Sequence, residues 1–184
     1  MKQGLCVLVV WGLALAPRPA LSQEKTEPAS SVIPKQVLKD DLLDGMVGHW
    51  RLSGKFEGQA VNHSVEVRWV LRHQFLEIHE KDLNPPKGND VPYDALVYVG
   101  YAPASRRYIA HWLDVFGGGS ETLGYGKRVG SAIEFDFEYP GQPWLTTFRW
   151  NAASRSWQWL MRTKTKQGQW QETADMTLAR GGAR

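Results

Sequence analysis

The sequence predicts an all-β fold: an antiparallel up-and-down β-barrel of about ten strands, led by one short N-terminal helix. Three observations point to it. From Gly48 onward, apolar and polar residues alternate with a period of two in short runs, separated by turn residues such as Gly, Pro and Asn. Successive runs are close enough to pair as hairpins, without the long crossover that a two-sheet sandwich needs. Finally, Trp50 begins the first run and Arg180 ends the last, each in phase with the apolar face of its strand. Closure would lay the guanidinium on the indole, a stack worth about 1 kcal/mol and more when desolvated, and would leave no sheet edge exposed. Gly48, Trp50 and Arg180 are therefore the expected closure residues.

Gln36 to Met46 is the expected helix, because Val37, Leu38, Leu42 and Met46 recur at helical spacing and Gly45 and Gly48 punctuate its end. In the first strand Trp50, Leu52, Gly54 and Phe56 alternate with Arg51, Ser53 and Lys55, and Glu57-Gly58-Gln59 turns the chain. Val61, His63, Val65, Val67 and Trp69 form the apolar face of the second. The third, Gln74 to Leu83, is ambiguous in phase: Leu76 and Ile78 compete with Phe75, Glu77 and His79 for the inside. Asn84 to Pro92, with three prolines, is the longest loop.

Tyr93 to Tyr101 and Arg107 to Val115 are apolar on both faces, so their outer sides are expected to meet the helix, a lid or a second subunit. After Phe116 to Ser120 comes a strand over Glu121 to Val129, where Gly124 and Gly126 suggest a bend or close approach by a ligand. Ile133, Phe135, Phe137 and Tyr139 alternate with acids in the next. Trp144, Thr146, Phe148 and Trp150 follow, then Trp157, Trp159 and Met161, and lastly Trp170, Ala174, Met176 and Leu178.

The ends bound the class of protein. Residues 1 to 22 have the form of a secretory signal, with Lys2, an apolar run from Leu5 to Ala16, and small residues around Ala20 and Ser22. That run is short for a bilayer, which needs about 20 residues. The expectation is an exported chain, periplasmic or secreted, with no membrane span after processing. Residues 23 to 35 are polar with two prolines and are expected as a disordered linker, leaving 36 to 184 as the barrel domain. Cys6, the single cysteine, falls inside the signal, so the mature chain has no disulfide or thiolate site. Processing removes Lys2 and Arg18 and leaves 20 basic against 19 acidic residues. That near-neutral balance lacks the footprint of a nucleic-acid binder.

The short helix, Gly48-x-Trp50 on the first strand and Arg180 on the last resemble the calycin superfamily, the lipocalins and fatty-acid-binding proteins. Within that group, Trp69-Val70-Leu71, Gln74-Phe75-Leu76, Gly100-Tyr101, Tyr108, Trp112 and Asp114 are similar to an uncharacterised bacterial family of lipocalin-like proteins, a domain of unknown function. The likeness covers about Val47 to Arg180. It implies a barrel that holds a ligand inside. The chain departs from extracellular lipocalins in its strand number and its lack of disulfides.

No motif identifies a reaction. The five histidines, at 49, 63, 73, 79 and 111, show no metal-ligand spacing, and no cofactor is indicated. The expected function is binding of a small hydrophobic or aromatic molecule, as a carrier or sensor. Phe56, Trp69, Phe135, Phe137, Phe148, Trp159 and Met176 are the expected lining, with His79 and Tyr108 as polar anchors. Two alternatives stand beside it. One is a barrel isomerase or hydrolase using Glu77, His79 or His111 as acid or base. The other is a structural or partner-binding module with a filled interior and an exposed apolar patch on the Tyr93 to Val115 hairpin. Independently of these readings, the 93–115 hairpin is the expected surface for a homodimer.

Overall fold

A computed structural model describes residues 36–84, 88, 90–117, 122–139 and 141–181. The expected signal over 1–22 and the linker up to residue 35 lie outside the described residues. Helix α1 spans Asp41–Met46. Ten strands follow: β1 (Gly48–Phe56), β2 (Gln59–Val70), β3 (Phe75–Asp82), β4 (Asp94–Ala102), β5 (Arg107–Asp114), β6 (Gly124–Val129), β7 (Ala132–Phe137), β8 (Trp144–Asn151), β9 (Ser156–Lys164) and β10 (Trp170–Arg180). Each pairs antiparallel with its neighbour in sequence, and β10 returns to β1, so the sheet is a closed barrel. Among the described residues no helix is long and apolar enough to cross a membrane.

The closing seam sets Trp50 directly opposite Arg180 and keeps register as far as Phe56 opposite Ala174. The Arg180 guanidinium lies 4.0 Å from the centroid of the Trp50 ring. Its Nη1 donates to the Val47 carbonyl at 3.0 Å, and Trp50 Nε1 donates to the Met46 carbonyl at 2.6 Å. Gly48 explains the residue two before the tryptophan: its φ is +134°, and a Cβ there would stand 2.1 Å from Arg180 Nη1.

Helix α1 closes the same end. It is shorter than the periodicity suggested, because Asp40 is extended and its carboxylate accepts from the backbone of Leu42 and Leu43, which fixes the start at Asp41. Upstream, Leu38 instead donates its backbone N–H to His73. Leu42, Leu43 and Met46 are buried. Side chains from the wall hold the helix: Trp69 donates to Asp44 at 2.8 Å, Arg128 makes a two-toothed pair with Asp41 at 2.6 and 3.0 Å, and Tyr108 donates to Asp40.

Above this plug comes a packed layer in which Trp159 lies 4.7 Å from Phe148 and 5.6 Å from Trp112, centroid to centroid, and Phe135 meets Phe148 edge-on. Two readings left open by the sequence are resolved here. The third strand turns Leu76, Ile78 and Glu80 inward, since they pair with Val99, Val97 and Ala95 of the inner face. And the bare backbone of Gly124 and Gly126 makes room for neighbouring rings rather than for a ligand, because a Cβ at either would stand within 2.6 Å of Phe137 or Phe135. The sixth strand also begins at Gly124, not at residue 121, which lies outside the described residues.

Arg180→Ala is expected to lower stability by about 1–2 kcal/mol through loss of the stack and of one hydrogen bond to a backbone carbonyl. A urea melt measures this, and Arg180→Lys should recover only part of the loss, because an ammonium lacks the flat face that covers the indole.

Candidate functional site

The barrel is packed at the helix end and hollow at the other. A cavity of about 530 Å³ opens among the ends of β1, β3, β5, β7 and β8. Its greasy wall is built from inward positions of β1 and β7–β10: Phe56, Phe137, Trp144, Met161 and Met176, with Val61 of β2. Phe56 stacks on Trp144 at 6.1 Å, and Phe137 on Tyr139 at 5.9 Å, so the mouth is rimmed by paired rings. The floor is Trp112, which touches Trp159 and Phe137 edge-on.

The opposite wall, from β2 to β5, is polar. His63, Glu80, Tyr93 and Asp114 line the cavity there. Glu80 is only 4% exposed, and its Oε1 lies 2.5 Å from His63 Nδ1. The other ring nitrogen of His63 is 3.8 Å from Asp82, and the ring stacks against Tyr93 at 5.7 Å. Tyr93 in turn accepts from Trp112 Nε1 at 3.2 Å. Burial pushes the Glu80 carboxyl above the ordinary range, although the hydrogen bond from His63 opposes this. Burial likewise holds the Tyr93 phenol well above the usual value, aided by the charge of Glu80, so Tyr93 keeps its proton at neutral pH.

The residues expected from the sequence divide. Phe56, Phe137 and Met176 line the cavity. Phe135, Phe148 and Trp159 are buried in the packed layer beneath it, and Trp69 and Tyr108 serve helix α1 at the closed end. His79 does not reach the interior. It faces outward, with Nε2 2.9 Å from Asp94, because its neighbours Ile78 and Glu80 occupy the inner phase of β3. Glu77 is also on the outer face, accepting from Arg68 at 2.8 Å, and His111 is exposed there. Sequence reasoning passed over Glu80, and the signal for it was its phase: it stands two residues from Ile78 on an otherwise apolar face.

The outer side of the β4–β5 hairpin pairs Leu96 with Leu113 and Tyr98 with His111, and Leu113 is 54% exposed. Among the described residues, no group of three histidine, cysteine or acidic side chains is placed to hold a metal ion. Comparison with protein-family models finds no match, and comparison with the curated proteins finds no relative. The fold, a closed ten-stranded antiparallel barrel, is consistent with a calycin-like architecture.

Protonation of Glu80 should favour folding. Its folded carboxyl holds a proton more tightly than the ordinary value of 4.5, so the stability it contributes is complete below that pH and is lost as the pH rises through the folded value. His63, Asp82 and Asp114 are the groups around it that set how steep this is. Denaturant melts across this pH window should show wild type losing stability relative to Glu80→Gln as the pH rises.

Proposed function

We propose that this chain is an exported, lipocalin-like carrier or sensor that binds one small hydrophobic or aromatic molecule in the open half of its barrel. The observation that supports it best is the cavity itself. Its volume of about 530 Å³ falls in the range of small-molecule pockets, about 300–1,000 Å³, and its lining has the composition such pockets use: many apolar and aromatic groups with a few polar ones. Binding would come from burying ligand surface, at about 25 cal/mol per Å², with His63, Tyr93 or Asp114 setting orientation. The signal-like residues 1–22 support export, and the resemblance to the bacterial lipocalin-like family supports an internal ligand.

A filled structural barrel fits the cavity poorly. An enzyme built on Glu77, His79 or His111 fits the geometry no better, since those groups sit on the outer wall.

Thr146 faces the cavity from β8 and offers a way to fill it. Thr146→Phe should leave the far-UV circular dichroism unchanged and weaken binding of the neutral probe N-phenyl-1-naphthylamine by about tenfold or more. Absence of probe binding to wild type, or equal binding by the variant, would count against the proposal.

A further inference from the structure

We propose that the ligand is a cationic amphiphile: an apolar or aromatic body bearing one protonated nitrogen, which the acidic wall of the cavity receives. This rests on the reading of the cavity as a binding site and adds the charge of its occupant.

The lining is asymmetric in charge as well as in polarity. Glu57, Glu80 and Asp114 contribute carboxylates, whereas the described lining residues include no lysine or arginine. The register shows how two of these acids cooperate. Glu80 of β3 is opposite Ala95 of β4, and Ala95 is opposite Asp114 of β5, so the acids occupy one inward row with a single methyl between them. Two strand spacings set their backbones about 10 Å apart, which leaves a notch over Ala95. Asp114 spends one oxygen on the backbone N–H of Phe116.

Glu80 is the second, independent observation. It is 4% exposed, on the cavity wall, and only its Oε1 has a partner. Among the described residues its Oε2 accepts no hydrogen bond. That second oxygen keeps its accepting capacity on the cavity wall, and a donor that carries positive charge makes the stronger, charge-assisted bond to it. Tyr93, Trp112 and Tyr139 also line the cavity, and aromatic rings receive a cation as well as an apolar body. An anionic ligand would meet repulsion from all three acids, and a neutral one would gain no charge-assisted hydrogen bond from them. A bare inorganic cation makes poor use of walls that are mostly rings and methyls.

Three probes of one shape separate the possibilities: 1-naphthylmethylamine, 1-naphthylmethanol and 1-naphthoate, titrated into the intact mature chain at neutral pH with tryptophan fluorescence and calorimetry. The expected order is amine, then alcohol, then acid, with the amine about tenfold tighter than the alcohol. Glu80→Gln and Asp114→Asn should each erode that preference, lowering the affinity for the amine by a larger factor than that for the alcohol. Asp114→Asn is at the half-exposed rim and does not disturb the buried Glu80–His63 pair, so it still decides the matter if Glu80→Gln fails to fold. Wild type binding the alcohol as tightly as the amine would overturn the charge assignment and leave the hydrophobic site standing. A preference for the amine that persists undiminished in the folded variants would overturn the role of the acids. Failure of all three probes to bind would overturn both readings.

Discussion

Closure of the sheet on itself is the constraint from which the rest of this structure follows. Ten strands joined by hairpins leave two unpaired edges unless the first meets the last, and here β1 and β10 meet over seven residue pairs. The stack of Arg180 on Trp50 and the hydrogen bonds to Met46 and Val47 tie that seam to the chain leaving α1. The pair thus fixes three things together: the register of the seam, the entry of the chain into β1, and the position of the helix that stops the end. With that end sealed, any room left by a wide barrel must appear at the other.

Side-chain size decides where the room begins. Near α1 the inward positions carry Leu52, Trp157, Leu178 and Val67, and one level up Trp159, Phe148 and Phe135 meet ring against ring. Beyond Trp112 the inward residues include Thr146, Ala95 and Val61, too small to cross the lumen. A wall of carboxylates and a histidine in that region would be out of place in a packed core, and there it borders open space.

Much of this was legible in the sequence. The alternation from Gly48 onward marked the strands, and the common phase of Trp50, Leu178 and Arg180 marked closure, because a period of two leaves little freedom in which side chains face in. The helix start was not legible, since Val37 and Leu38 keep helical spacing while the Asp40 side chain caps the backbone three residues later. The phase of β3 was not legible either. Both of its faces carry apolar residues, and the correct one places a charged Glu80 inside, where only the three-dimensional meeting with His63 accounts for it. For the same reason His79 looked eligible for the interior, although its partner Asp94 is an outer-face residue of the next strand. The polar wall of the cavity was hidden because its acids are surface residues by type and interior residues only by phase.

The plug at the α1 end also settles what kind of vessel this is. With Trp50, Arg180 and the helix filling one end, the cavity lies toward the opposite one, beside Phe56 and Trp144. Among the described residues the hollow is a cul-de-sac rather than a conduit.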